Sequence, residues 1–258
     1  MPFPARLHVL LARDAPSGVI LRRGPAQFVC AIGWNRANDS FQVGQWLRGR
    51  IYEQRCDLSP DGRHLIYFAL NGRWSSETKG SYTAISRAPF LKAISLYPQG
   101  DTWGGGGVFL DNTTFTVYGA SNALREDPEL ARVPTQRWIG GPHAARLERD
   151  GWRSVSGETA VYELPAPCGW SLRLTLCSGF PSTPGRGFLW EEYVLVHAAT
   201  GRIHPLPNCE WAGLDGARLV WTCAGTLNAA RLTRRGLGST TLLADFNTLQ
   251  FERRQAPY

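Results

Sequence analysis

Lysine is almost missing from this sequence: of 28 basic side chains only Lys79 and Lys92 are lysine, and the rest are arginine. The net charge of +7 therefore rests on arginines, which are dispersed, with no run longer than two. Dispersed charge reads as a solvated, mildly basic surface; nucleic acid is permitted as a partner but not favoured. The six cysteines, at 30, 56, 168, 177, 209 and 223, form no C-x-x-C pair, which excludes zinc-knuckle spacing. Several sit inside apolar runs, as Cys30 does in Phe28-Val29-Cys30-Ala31-Ile32, and are expected to be reduced thiols packed as small hydrophobes. The absence of G-x-S-x-G argues against an α/β-hydrolase. No apolar run approaches the ~20 residues of a membrane helix. The opening Met1-Pro2-Phe3-Pro4 leads into an apolar stretch broken by Arg6, His8 and Arg13, unlike a signal peptide. A cytoplasmic location follows by elimination, with no membrane partner, metal or cofactor expected.

What is abundant points to β structure. The chain has 28 glycines, 17 prolines and 10 tryptophans, with only 19% charged residues, which suits a turn-rich, aromatic-packed fold. Strand signals run through Arg6–Arg13, Gly18–Arg22, Gln27–Ile32, Phe41–Leu47 and Arg50–Glu53, separated by turn residues such as Pro16-Ser17-Gly18, Gly24-Pro25 and Asn38-Asp39-Ser40. Short strands joined by tight turns pair antiparallel with their neighbours. No low-complexity linker divides the chain, so residues 1–258 read as a single domain.

One element recurs. Cys56-Asp57-Leu58-Ser59-Pro60-Asp61-Gly62-Arg63-His64-Leu65-Ile66-Tyr67-Phe68-Ala69 is a short strand, a Pro-Asp-Gly turn and a strongly β-prone strand. The Asp-Gly pair suits a tight hairpin because it tolerates positive φ. A second copy runs from Trp211 to Thr222 around Asp215-Gly216, without the Ser-Pro. A third runs from Gly107 to Tyr118, where Asp111-Asn112 takes the place of Asp-Gly. These copies resemble the repeats of TolB-type and WD-type β-propellers, over about a fifth of the chain. The resemblance implies an architecture and no particular activity. With Asp61, Asp111 and Asp215 spaced by 50 and 104 residues, it implies five blades of four-stranded antiparallel sheet; six thinner blades or a β-sandwich are the rivals. Glu210–Leu214, Arg218–Cys223, Leu227–Leu232 and Thr240–Asp245 read as the four strands of one blade. Tyr193–Ala198 and Arg202–Leu206 form the outer hairpin of the blade before it, whose inner part holds Trp170–Cys177 and Leu189–Ala198 around a loop at 178–187.

Residues 121–156 interrupt the pattern. Ser121–Ala131 is the best helix candidate, kept short by Pro128. Arg146–Ser154 reads as an inserted hairpin turning at Arg149-Asp150-Gly151.

No coherent catalytic set emerges. Of five histidines, His8, His64 and His197 fall inside strands; His143, in the loop-like Gly140-Gly141-Pro142-His143, is the best functional candidate but lacks an evident partner. Asp57 and Glu210 precede their turns by similar distances; with Asp101 they would suit a carbohydrate-active propeller if all three converged on one channel. Otherwise such acids cap backbone groups. Gly104–Gly107, after Asp101-Thr102-Trp103, reads as an anion pocket or, since a strand and not a helix follows, as a tight crossing between blades. Trp103 and Trp74, the latter in the polar loop Asn71–Tyr82, are candidates for contact with a partner. The weak binding set is therefore Asp57, Trp74, Asp101, Trp103, His143 and Glu210, with no catalytic residue assigned. The expectation is a non-enzymatic module that binds another protein through its loops; the alternatives are a carbohydrate-active enzyme and a nucleic-acid-binding protein.

Overall fold

A computed structural model describes residues 3–24, 27–119, 122–135, 140–155, 160–179 and 188–258. The fold is all-β: five multi-stranded sheets, antiparallel except at one short edge. The chain divides into two compact units, Val9–Leu147 with Gln250–Tyr258, and Met1–His8 with Glu148–Leu249. It thus crosses between units near residues 8, 147 and 249.

The first unit carries three sheets. Strands β1 (Arg6–Leu11, whose start belongs to the other unit), β2 (Ser17–Arg23), β3 (Phe28–Asn35) and β4 (Ser40–Arg48) pair in sequence order, as short strands with tight turns should. In the second sheet, β5 (Arg50–Ile51) and β6 (Asp57–Leu58) both pair with β7 (His64–Leu70), followed by β8 (Ser81–Arg87) and β9 (Ala93–Pro98). The third sheet joins β10 (Gly107–Phe109) to β11 (Thr114–Val117), with β12 (Ala131–Arg132) added parallel to β11.

Strand β7 explains how these sheets stack. Its run Leu65-Ile66-Tyr67-Phe68-Ala69 is buried throughout, and side chains alternate between faces. Leu65, Tyr67 and Ala69 enter one core with Val19, Leu21 and Ala31 of the first sheet. Ile66 enters another with Phe109, Phe115 and Val117 of the third. A near-continuous apolar run is what a strand covered on both faces requires, and each fully buried Leu or Ile contributes about 2 kcal/mol of transfer free energy.

The second unit carries two sheets: β13 (Arg153–Ser154), β14 (Val161–Pro165), β15 (Trp170–Ser178), β16 (Leu189–His197) and β17 (Ile203–Pro205); and β18 (Trp211–Asp215), β19 (Arg218–Cys223), β20 (Thr226–Thr233), β21 (Gly236–Leu237) and β22 (Thr241–Asp245), where β20 pairs with both β21 and β22. The four strands expected over 210–245 are all present, as is the hairpin of β16 and β17. In the Asp-Gly turns it is glycine alone that takes positive φ, at Gly62 (75°) and Gly216 (59°). Each aspartate instead binds across its turn: Asp61 accepts from Ser59 Oγ at 2.6 Å and Arg63 N at 3.0 Å, and Asp215 accepts from the Arg218 guanidinium at 2.7 Å.

The segment 121–156 differs from expectation twice. No helix forms in the described part of Ser121–Ala131. Leu124 N donates to Leu96 O and Leu96 N donates to Arg125 O, both at 2.9 Å, so β9 captures the backbone that a helix would need. Asp127 accepts from Glu129 N at 2.9 Å, an Asx turn at Pro128 that opposes helix further. The expected hairpin is instead helix α1 (Gly141–Arg149), followed by β13. Ala144, Ala145 and Leu147 give this stretch good helix propensity and a buried stripe. Gly151, at φ 89°, ends the helix with its N–H on Glu148 O at 3.1 Å. Asp150-Gly151 is therefore a helix stop and not a hairpin turn. Residues 25, 121, 156 and 180–187, on which parts of the expected turns and loops fall, lie outside the described set.

Candidate functional site

The second sheet of the first unit has two ends, and the end after β7 and β9 gathers several of the sequence candidates. The β7–β8 loop closes through Asn71 N and Gly72 N donating to Gly80 O at 2.9 and 3.0 Å. Asn71 Oδ1 accepts from Arg73 N at 2.9 Å, and Ser76 Oγ donates to Arg73 O at 2.6 Å. These local bonds hold Trp74 against Gly80, where a Cβ would come within 2.3 Å of the indole. Trp74 remains 56% exposed.

The β9–β10 loop abuts it. Gln99 N donates to Ser81 O at 2.9 Å and Ser81 Oγ donates to Asp101 O at 2.5 Å. A Cβ at Gly100 would lie 3.6 Å from Lys79 Cβ. The carboxylate of Asp101 accepts from Trp103 N at 2.8 Å and Gly104 N at 3.0 Å. These bonds, Gly104 N foremost, hold Asp101 below the usual carboxylate range. From beneath, Arg55 donates to Thr102 O at 2.9 Å and also to Gly104 O, while its guanidinium lies over Tyr52 at 5.3 Å and Phe68 at 5.1 Å.

The four glycines are explained by proximity. A Cβ at Gly104 would lie 2.6 Å from Gln99 Nε2, at Gly105 2.3 Å from the Phe68 ring, at Gly106 2.5 Å from Arg55 O and at Gly107 2.4 Å from Thr116 O. Gly105 and Gly106 also take φ of 92° and 89°. The run is thus a tight crossing between two sheets, and not an open anion pocket. Fixed on top of it, Trp103 is 92% exposed. Arg50, Arg73, Lys79 and Glu77 are exposed at the same end. The patch is therefore aromatic and of mixed charge, with an excess of cations.

The remaining candidates lie elsewhere. Asp57 is buried in β6, where its Oδ2 accepts from Phe109 N at 2.7 Å, fastening the second sheet to β10. In the second unit Glu210, just before β18, accepts from Leu7 N at 2.9 Å and pairs with Arg6 at 3.6 Å. Both carboxylates bind the main chain of an adjoining strand. His143 sits in the first turn of α1 and not in a loop; it is buried, with Nδ1 3.2 Å from Arg146, whose NH1 donates to Cys56 O at 2.7 Å. Among the described residues no three His, Cys, Asp or Glu side chains are placed to hold a metal, and no helix is long and apolar enough to cross a membrane. All six cysteines are free thiols; Cys30, Cys56 and Cys209 are buried as expected, but Cys168 is exposed and Cys177 and Cys223 are half-buried. Burial pushes the Cys30 and Cys56 thiols up to about 12.

Sequence reasoning missed the opposite end of the same sheet. There an open groove of about 550 Å³ is lined by Ser17, Trp34, Phe41, Asp61, Gly62 and Pro89. The Ser-Pro-Asp-Gly turn that identified the repeat is thus also part of a surface depression, a consequence of its sitting beside the β3–β4 hairpin.

No family model matches the chain, and no curated protein matches it. Among solved structures, the hydrazine synthase of Kuenenia stuttgartiensis is similar at 9% identity, over 93% of this chain and 87% of that chain, with a TM-score of 0.34. A likeness of that size carries no argument.

Proposed function

We propose that this chain is a non-enzymatic binding module with a propeller-like arrangement of its sheets, and that it docks another protein through the loops at 71–80 and 99–107. The observation that carries this reading is Trp103, 92% exposed on a loop that glycine packing and the Asp101 caps hold in one shape. A bare indole on a rigid support forfeits little conformational entropy on binding, and Trp and Arg are the residues that dominate protein interfaces. The mixed charge favours a protein over a nucleic acid. Glu77 is exposed between Trp74 and Lys79, and Asp101 stands beside Trp103, so a uniform polyanion would meet repulsion there. The partner surface that fits has an apolar pocket for Trp103 rimmed by carboxylates facing Arg73 and Lys79.

Support for the propeller-like reading comes from within the units. The repeated turns recur on separate sheets, and β7 feeds a core on each of its faces, as an inner strand of a stacked blade does.

A benzophenone side chain placed at Trp103 tests the docking face by photo-crosslinking in the native host. The expected result is one protein adduct near one-to-one stoichiometry, lost on Lys79→Glu. The same adducts from a benzophenone at Leu242 in the other unit would overturn the reading. So would quenching of the wild-type indole fluorescence by oligo(dT) or by an oligosaccharide in place of a protein adduct.

A further inference from the structure

The segment Gln250–Tyr258 belongs to the first unit, yet it forms no strand. It lies on that unit through three side-chain anchors. The ring of Phe251 packs on Phe28 at 4.6 Å and edge-on to Trp46 at 6.2 Å. Arg254 donates to Val43 O at 3.0 Å, and its own carbonyl accepts from Gln45 Nε2 at 2.9 Å. Its guanidinium is pre-set by Glu252, at 2.7 Å. The Tyr258 ring lies under both Arg87 at 5.1 Å and Lys92 at 5.2 Å, with Phe90 edge-on at 6.3 Å. Its hydroxyl accepts from Arg87 N at 3.0 Å and donates to Lys92 O at 2.9 Å, while Lys92 Nζ donates to the Tyr258 main-chain oxygen.

The receiving surface is built independently of this segment. Gln45 is oriented by Leu91 N, which donates to its Oε1 at 2.8 Å, so its amide N–H faces outward ready-made. Trp46 Nε1 is buried and meets no acceptor among the described residues. Ring, carbonyl, amide and cationic clamp thus follow one another along β4 and the β8–β9 turn. This is the layout of a groove that reads an extended peptide by spaced side chains. The segment's anchors are mostly solvent-facing and lack a strand ladder, so they belong to the class of contacts that opens locally at low free-energy cost.

We propose that this surface is a peptide-docking site which residues 251–258 occupy in cis. From a partner it takes an extended segment with an aromatic side chain, an arginine three positions on and a tyrosine four beyond that. The tethered copy competes at an effective concentration in the millimolar range, so a partner segment binds weakly until the cis copy is released. This proposal is independent of the Trp103 face.

The probe is a fluorescein-labelled peptide of residues 249–258, titrated into the full chain. Phe251→Ala with Tyr258→Ala in the full chain is expected to bind it at least ten-fold more tightly than wild type, and adding Gln45→Ala to lower that affinity again. Equal affinity in wild type and released variant would overturn the proposal. Trypsin on the wild type decides without any variant. Cleavage after Arg253 or Arg254 is expected orders of magnitude faster than at Arg22 or Arg23 in β2, and equal resistance would overturn the proposal. A concentration-dependent dimer of the full chain that exchanges this segment would assign the site to a second copy and would also overturn it.

Discussion

The loop 99–106 and the segment 250–258 both run over the surface of the first unit without regular structure, and they are held in opposite ways. The loop is fixed through its main chain: Asp101 caps two amides, Arg55 binds two carbonyls, and the four glycines leave no space for a Cβ. Its one large side chain, Trp103, is left free. The segment is fixed chiefly through the side chains of Phe251, Arg254 and Tyr258, with the main-chain oxygens of Arg254 and Tyr258 accepting one bond each. A backbone-clamped loop presents its side chains to others, whereas a side-chain-clamped strap spends them on its own surface and can exchange with a competitor. Irregular chain is therefore no single category; which half of each residue is engaged decides whether the region displays or conceals.

Gly105→Ala drives a Cβ against the Phe68 ring at positive φ, and should cost about 3 kcal/mol by overpacking and backbone strain, or about 6–12 °C in Tm. A thermal melt within about 1 °C of wild type would mean that the loop is not clamped as described.

Next comes the strap. Tyr258→Ala removes the hydroxyl bonds and the cation–π contacts, together worth about 1.5 kcal/mol at an exposed site. Tryptic cleavage after Arg253 or Arg254 should speed up about ten-fold while cleavage at Arg22 and Arg23 in β2 is unaffected. Equal loss of protection in both would show the strap to be part of the cooperative core.

A smaller effect concerns pH. Asp101 lies below its ordinary value of 3.8 when folded, with Gly104 N the main cause, and Asp111 is lowered in the same way by Thr113 N and Thr114 N. For a carboxylate depressed on folding, the stabilisation is complete above the unfolded value and is lost as pH falls through the folded one. The urea midpoint should thus hold from pH 7 to about 5 and decline below about 4. Asp101→Asn, which keeps an acceptor for the two amides, should make that decline shallower. An unchanged acid limb would remove Asp101 from the account.

The smallest effect on stability belongs to the residue assigned the largest role in binding. Trp103→Ala should leave stability within about 0.5 kcal/mol of wild type while weakening partner binding about thirty-fold, as loss of an interface hot spot does. A substantial loss of stability would show that Trp103 packs at home.

Much of this fold was legible in advance because β structure writes itself locally. The hairpin of β18 and β19 follows from apolar runs on either side of Asp215-Gly216, and the unbroken apolar run of β7 marked it as a strand. The failures share a cause. Asp150-Gly151 has the same composition as the true hairpin turns, but the preceding Ala144-Ala145 run and the buried Arg146 contact with Cys56 make it a helix stop. Ser121–Ala131 has fair helix propensity, yet β9 offers its backbone better partners. The site was half legible: Trp74, Asp101 and Trp103 stood out by type, whereas their shared end of one sheet did not. Phe251, Arg254 and Tyr258 gave no signal, because nothing in eight irregular residues encodes the surface that receives them.

Sequence alone determined the class of this protein, since short apolar runs and glycine-bearing turns are decided within a few residues of each other. Tertiary structure decided what each polar group does. Asp57 became a rivet to Phe109, Asp101 a loop cap and His143 a buried helix residue. A carboxylate or imidazole takes its role from whichever donor or acceptor folding brings within about 3 Å, and those partners lie elsewhere in the chain.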